Sequence, residues 1–487
     1  MLSGFQQTRE AAVERIASEP FDVLVVGGGI NGAGILRDLM LRSRTRGAGL
    51  RAALIDKGHF AGGTSGRNSQ LIHGGLRYLE NLEFGLVREA LRERRTLLNI
   101  APHLVEPLPM IIPFHGLRRR LYFGAGLALY DLLAGRENVG CRRHVSRREL
   151  ESLEPNLSRE GLHSAAIFYD CKVNSARLVL ENLFEASRNG AAIANYVAAT
   201  QWCRDGSGFV AQLEDRLTGR RFQARARQLV DARGPWEESA NLRLVRGSHI
   251  VVPRLTKSGN AIAHFNPDGR ILFVIPWGSD GDLSLVGTTD IDHRGGADNV
   301  RIAPEEIEYL RGAAGRLFPG SPLEVVAAYS SLRPLVAEAG KSASSTSRSH
   351  RIWFDTEGVL KIAGGKYTTY RIMGERAVDL LWPDLAGASS TASTPFGGGP
   401  PVAREAMVAV AVEREMARRL PDLLFTSTYW GHERRWSSES LLGYARQMGE
   451  MLGWDDARAE DEVRLTMSIV QTPAQQHDDS GQGRPTA

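Results

Sequence analysis

Residues 21–41 read FDVLVVGGGINGAGILRDLML. Phe21–Val26 is an apolar run of buried-strand length, and from Ile30 to Leu41 the apolar positions take helical spacing. Between them stands Gly27-Gly28-Gly29-Ile30-Asn31-Gly32, a GxGxxG at a strand-to-helix turn. Gly27 permits the tight turn. Gly29, with Asn31 beside it, lets the backbone come up to a pyrophosphate, and Gly32 lets helix and strand pack closely. The free N–H groups at the helix start favour the negative charge of that diphosphate. A second strand, Ala52–Ile55, ends in Asp56, placed to accept hydrogen bonds from both ribose hydroxyls of an adenosine. The basic stretch Arg42–Arg51 before it reads as a long return loop.

Two more glycine turns follow far along the chain, Gly234 after the strand-like LVDAR and Gly364-Gly365 after Leu360–Ala363. A nicotinamide enzyme concentrates its cofactor contacts in one block, whereas separated segments of this kind suit FAD. The expected fold is α/β: a discontinuous Rossmann-like, glutathione-reductase-like FAD-binding domain, a mixed-sheet substrate domain and a small C-terminal helical cap. The boundaries read as a lead-in helix over 1–20, the oxidoreductase region over 21–388, a linker over 389–401, a helical domain over 402–473 and a disordered tail over 474–487. The FAD-binding segments fall at about 21–100, 160–240 and 350–385. Within the helical domain, Val402–Leu420 and Ser437–Leu452 are the expected helices.

Bulk properties narrow the class. A formal net charge of +4 with scattered Arg and no basic block interleaved with aromatics argues against nucleic acid. Three separated cysteines, Cys141, Cys171 and Cys203, without a CxxC argue for a reducing compartment and against a zinc site, so no metal is expected. The first twenty residues have no apolar signal core, and no run of about 18 apolar residues exists to cross a bilayer. The expectation is a cytoplasmic protein, or one held peripherally at the cytoplasmic membrane face. Arg118–Ala134, three Arg followed by a short apolar helix, is either core or an interfacial element.

Residues 64–79, TSGRNSQLIHGGLRYL, pack a Thr-Ser hydroxyl pair, two Arg, a His, a Gly pair and a Tyr into a mixture that no core element needs. Lys366 stands out as well, because the chain has only six Lys and this one sits at a glycine turn entering a helix. Arg333, followed by Pro and flanked by Leu332 and Leu335, is a poor fit to a free surface charge, whereas the serine-rich surroundings of Arg348 would also suit an exposed loop.

The segments VVGGGINGAGILRD, TSGRNSQLIHGGLRYLE, RGSHIVVPR, FVIPWG, GTTD, YSSLRPL and GGKYTTYR occur in one order. From about Phe21 to Leu381 this resembles the FAD-dependent glycerol-3-phosphate dehydrogenases, and the C-terminal part resembles their cap domain more weakly. The resemblance implies oxidation of sn-glycerol 3-phosphate to dihydroxyacetone phosphate, with electrons passed through FAD to the membrane quinone pool. Two positions depart from the family pattern: Gln70 stands where a Lys is usual, and Asp231 where an Asn is usual, with Arg233 at a variable place.

Hydride transfer from a secondary alcohol needs a base for the hydroxyl proton and positive charge for the phosphate. A histidine in a strand is more often a satisfied core residue, but the Gly247-Ser248-His249 motif makes His249 the expected base. Arg333, Arg348 and Lys366 are expected on the phosphate, Arg supplying a planar fork. Arg77 and Tyr78 are expected in the substrate pocket, and Thr64 and Ser65 on the pyrophosphate. His73, Gly74, Gly234, Gly365, Thr368 and Thr369 are expected against the cofactor. Alternatives are another polyol phosphate, oxygen as acceptor, an amino-acid oxidase or a non-catalytic flavoprotein. Oligomeric state is open, a homodimer being one option.

Overall fold

The computed structural model describes residues 4–79, 82–237, 242–298, 300–336, 350–399 and 402–470, apart from the side chain of Arg77. Two sheets organise the described residues. In the first, Pro20–Val26 lies between Ala52–Ile55 and Arg221–Asp231, all parallel, and Ala192–Ala194 and Leu360–Gly364 extend the sheet on either side. Parallel strands are covered on both faces, which is why Val23, Leu24 and Val25 are all buried rather than alternating. Val197–Asp205 and Gly208–Asp215 form an antiparallel meander attached to Arg221–Asp231.

The helix that follows the glycine turn spans Ile30–Arg46, longer than its apolar pattern suggested. The basic stretch expected as a loop is therefore in part the last turn of that helix. Arg42 is fully buried, 2.7 Å from Asp38 one turn back and 2.5 Å from Asp379, and it also donates to the Leu385 carbonyl. A buried guanidinium is stable only with such partners. Gly34 and Gly374 let this helix meet Tyr370–Leu381 closely, since a Cβ on Gly374 would lie 2.9 Å from the Gly34 backbone. The glycine- and serine-rich segment after that helix is docked: Phe396 is buried under the Arg37 guanidinium, 4.0 Å from its ring centroid.

The second sheet has Leu242–Pro253 paired antiparallel with both Leu283–Gly287 and Ala327–Val336. Its far part pairs Val105–Phe114 with Ser164–Val173 and, in parallel, with Ala261–Phe265. Phe84–Ile100 and Leu117–Ala134 are helices, close to where the sequence places them.

The C-terminal part departs from expectation in detail. Helix occupies only Met407–Arg414 of the stretch Val402–Leu420. It stops because Glu415 is drawn into a buried ion pair with Arg177, the next residue, Met416, takes a positive φ of 58°, and the Met416 carbonyl accepts from Asn195. Ser438–Leu452 follows, then a further helix, Asp456–Ile469, that the periodicity did not announce.

Candidate active site

One large cavity, about 710 Å³, lies between the two sheets. Its walls include Gly27, Gly29, Asn31, Asp56, Thr64, Ser65, His73, Tyr78, Gly234, His249, Arg333, Gly365 and Lys366, so these expected residues share one space. The Arg77 side chain and Arg348 lie outside the described residues. Gly32, Gly74, Thr368 and Thr369 are not on the cavity wall.

The glycine turn is built by sterics. A Cβ on Gly32 would sit 2.0 Å from the Gly27 carbonyl oxygen, so helix and strand touch only through glycine. Gly27, at φ +117°, would press a Cβ within 2.5 Å of the Ala232 carbonyl oxygen. Asp56 closes the turn from the next strand, accepting from the Gly28 N–H at 2.7 Å and the Gly58 N–H at 2.8 Å. Burial pushes its carboxyl pKa up, against those two bonds. Ser65 Oγ accepts from the Ile30 N–H at 2.9 Å at the helix start, and Thr64 Oγ1 donates to the Leu332 carbonyl at 2.5 Å.

Gly74 faces away from the cavity. A Cβ there would meet Tyr130 Oη at 2.4 Å and Leu91 at 2.5 Å. Its N–H donates to Tyr130 Oη at 2.9 Å and to Asp170 Oδ1 at 3.2 Å, and Asp170 also receives Tyr130 at 2.7 Å and Arg94 at 2.6 Å. That buried network, which sequence reasoning missed, holds the His-Gly-Gly turn in place. Thr368 Oγ1 takes the His73 N–H and lies 3.1 Å from the His73 carbonyl, and Thr369 Oγ1 turns back to Lys366 O. Both hydroxyls therefore serve the scaffold.

On the opposite wall the strand Leu242–Pro253 alternates its functions. Ser248 points to one face, where its hydroxyl meets Glu306 and Ser330. Gly247 and His249 point to the other. Gly247 makes room for Arg333, since a Cβ there would fall 2.3 Å from its guanidinium. Arg333 Nη1 bonds Asp290 at 2.7 Å, and Nη2 donates to Thr288 Oγ1 at 2.9 Å. Asp290, from the Gly-Thr-Thr-Asp turn, is a site residue that sequence reasoning passed over.

His249 is 2% exposed, with Nε2 2.8 Å from Ser69 Oγ. Burial, and then the nearby Arg333 charge, push its pKa down to about 3. Lys366, also buried, places its ammonium 3.6 Å from the Tyr78 ring centroid, an approach that Gly75 leaves room for.

Neither departure from the family pattern reaches the cavity. Gln70 Nε2 donates to Ser175 Oγ at 2.7 Å and to Tyr429 Oη at 2.6 Å, while its Oε1 accepts the Ser175 N–H at 2.7 Å. Asp231, fully buried, receives Arg233 through Nε at 2.9 Å and Nη2 at 2.7 Å, so carboxylate and guanidinium neutralise each other.

The cradle suits a flavin dinucleotide: a glycine-only approach at a helix N-terminus, an acid at the end of the second strand, and a cavity long enough to reach His249. The FAD dependent oxidoreductase family matches residues 22–371. D-erythritol 1-phosphate dehydrogenase of Brucella abortus is 37% identical over 402 residues, 78% of each chain. Glycerol-3-phosphate dehydrogenase 2 of Mycobacterium tuberculosis is 36% identical over 386 residues, 76% of this chain and 64% of that one, so the match spans less than two thirds of that relative. The glycerol-3-phosphate dehydrogenase from Bacillus halodurans, solved in complex with FAD, shares the fold with a TM-score of 0.75 at 24% identity, covering 96% of this chain and 98% of that one. With a Synechocystis glycerol-3-phosphate dehydrogenase 36% identical over 404 residues, 76% of this chain and 71% of that one, the chain belongs to the FAD-dependent oxidoreductase family, in its glycerol-3-phosphate dehydrogenase branch, and FAD is its cofactor.

Proposed function

We propose that the protein oxidises the secondary alcohol of sn-glycerol 3-phosphate to dihydroxyacetone phosphate and hands the electrons to a membrane quinone. The observation that carries this reading is the shared cavity, with the glycine turn at one end and His249, Arg333 and Lys366 toward the other. Bound FAD supplies a hydride acceptor at the flavin N5. The chain's own residues do the rest.

His249 takes the hydroxyl proton. Its depressed pKa keeps the imidazole neutral at physiological pH, with a lone pair to offer. A phosphate dianion beside Arg333 offsets the guanidinium charge and strengthens the base when substrate is in place. Arg333, with Arg77 and Arg348, holds the phosphate, and Tyr78 shapes the pocket around the carbinol. The Lys366 ammonium stabilises negative charge on the reacting oxygen or the reduced flavin. Thr64, Ser65 and Asn31 line the diphosphate end, Asp56 the ribose, and His73, Gly234 and Gly365 the ring and its tail.

A second reading, the same chemistry on a four-carbon polyol phosphate, is favoured by the Brucella relative, which is named for D-erythritol 1-phosphate. Mixing the holoprotein anaerobically with glycerol 3-phosphate, D-erythritol 1-phosphate or glycerol, and following flavin bleaching, separates the two. Fast bleaching by glycerol 3-phosphate supports the first, and bleaching by the erythritol ester alone the second. Equal bleaching by unphosphorylated glycerol overturns the phosphate clamp, and no bleaching by either ester overturns both readings.

An apolar limb of the cavity, lined by Met110, Ile112, Phe168, Phe265 and Phe273, supports the quinone as acceptor. Phe265 packs on Phe123 of the Leu117–Ala134 helix, with ring centroids 4.3 Å apart. That helix leaves Leu117, Leu121, Tyr122 and Leu132 exposed beside Arg118 and Arg119, a pattern that suits an anionic bilayer surface. No described helix is long and apolar enough to cross a membrane.

A further inference from the structure

The reading of His249 as the group that takes the alcohol's proton leaves open which ring nitrogen is bare, and the inference drawn here rests on that reading. The ring is held on several sides. Tyr329 stacks on it with centroids 5.0 Å apart and planes 21° apart. On another side Gly287 is so close that a Cβ would sit 2.2 Å from His249 Cδ2. Tyr329 and the Gly287 backbone therefore confine the plane of the ring.

The two nitrogens differ sharply. Nδ1 is buried with no hydrogen-bond partner among the described residues, whereas Nε2 meets Ser69 Oγ at 2.8 Å. Ser69 lines the cavity and is the one described side chain that hydrogen-bonds the imidazole. Its loop is tied down on both sides. Tyr329 Oη donates to the Asn68 carbonyl at 2.9 Å, and Asn68 Nδ2 donates to the Ser65 carbonyl at 2.9 Å. Asn68 Oδ1 accepts the Gln70 N–H at 2.8 Å. The residue that stacks on His249 thus also fixes the loop that presents Ser69 to it.

We propose that Ser69 is the positioning residue of the active site, its hydroxyl donating to His249 Nε2 and thereby selecting the tautomer protonated at Nδ1. In that tautomer the basic lone pair lies on Nε2, the nitrogen that meets the cavity-lining Ser69, at the cost of a buried Nδ1–H with no acceptor among the described residues. If Ser69 accepted instead, Nε2 would carry the proton and the only lone pair would be the buried Nδ1, out of reach of substrate. A hydroxyl can play either part, and the heavy atoms do not distinguish them. The requirement that the cavity-side nitrogen take a proton does. As substrate enters, the alcohol takes over the bond to Nε2 and the Ser69 hydroxyl turns to donate to the alcohol oxygen.

The test uses holoprotein labelled with ¹⁵N-histidine, with His249 assigned by its disappearance in His249→Gln. Wild type is expected to show the Nδ1-protonated pattern for His249. Ser69→Ala should lose or mix that pattern and slow flavin bleaching by roughly 10- to 100-fold, a part of what a positioned base supplies, with substrate Kd changed little. Ser69→Thr, which keeps the hydroxyl, should restore both. A Ser69→Ala protein with the wild-type imidazole signature, or with full bleaching rate, overturns the proposal. So does a wild-type His249 protonated at Nε2. If Ser69→Ala fails to fold, the wild-type tautomer and the Ser69→Thr rate decide the matter. Failure of the underlying reading looks different: His249→Gln would then bleach at the wild-type rate.

Discussion

Gln70 and Tyr429 meet at 2.6 Å across 359 residues of chain. Tyr429 Oη in turn donates to the Gly66 carbonyl, so the loop carrying Ser69 is clamped to the C-terminal helical part. Gln70 is 5% exposed and sits at a positive φ of 54°. A Lys at this position could donate to Tyr429 and Ser175 but could not accept the Ser175 N–H. Gln70→Lys is therefore expected to cost about 1–3 kcal/mol, the price of an orphaned buried donor, read as a lower urea midpoint. An unchanged midpoint would show that the clamp is not needed.

His249→Gln should slow flavin bleaching by about 10²–10⁴-fold while substrate Kd stays nearly constant, because the side chain acts on a proton and not on the phosphate. Arg333→Ala should instead weaken binding of the phosphate ester far more than it slows bleaching at saturation. Stopped-flow titrations that found both variants altered in the same proportion would undo this division of roles.

Asp231 and Arg233 form a pair in which the carboxylate is buried and the guanidinium is about a third exposed. Removing Arg233 leaves Asp231 facing Lys361 at 3.8 Å, which is also bound to Glu237 at 2.6 Å. Arg233→Ala is expected to destabilise by about 1–3 kcal/mol, below the usual cost of breaking a fully buried pair because Arg233 is partly solvated. Asp231→Asn combined with Arg233→Ala should recover most of that loss. Additive losses in the thermal midpoints would show that the residues do not compensate each other.

Two buried histidines, His249 and His432, and the half-buried His264 make the fold acid-sensitive. Burial is the first cause in each, and it pushes His249 and His432 down to about 3 and His264 to about 4. Between those values and the ordinary histidine pKa of about 6.5 the unfolded chain binds more protons than the native one. Stability is therefore full above pH ~6.5 and falls as pH drops toward 3, with each histidine steepening the slope. His264→Phe should flatten the pH dependence of the melting temperature between about pH 4 and 6.5; a curve parallel to wild type would reject this assignment.

The Leu117–Ala134 helix makes a separate prediction. Wild type should co-sediment with anionic liposomes at low salt, and Leu121→Glu with Tyr122→Glu should abolish this without changing bleaching in solution. Failure of the wild type to pellet with the vesicles would sink the membrane-docking idea.

The glycine turn was legible because each of its glycines answers a local steric demand, and His249, Arg333 and Lys366 because each sits in a motif whose neighbours are equally constrained. They share one cavity even though His249 and Arg333 come from strands of one sheet and the glycine turn and Lys366 from turns at strand ends of the other. What sequence could not reveal depends on long-range pairing. Arg42 reads as a loop cation until Asp379, 337 residues on, is seen beside it. Ser69 is one serine among many, and only the approach of His249 distinguishes it. The network of Arg94, Tyr130 and Asp170 joins two helices and a strand whose separate patterns report burial and nothing about one another. The helix break after Arg414 follows from Arg177 pulling on Glu415, a tertiary force that overrides a good local pattern.

The clamp at Tyr429 also bears on how the protein is made. The glycine turn leaves the ribosome early, but the last tie on the loop that faces it, the one to Tyr429, waits until some 400 residues later. At ordinary elongation rates of roughly 5–20 residues per second, that interval is on the order of 20–80 seconds. Once Arg221–Asp231 has joined the sheet beside the glycine turn, the nascent chain carries a diphosphate cradle whose neighbouring loop still lacks its C-terminal clamp. A ribosome stalled before Tyr429 should hold a chain able to recruit flavin yet still open to proteases at residues 64–70.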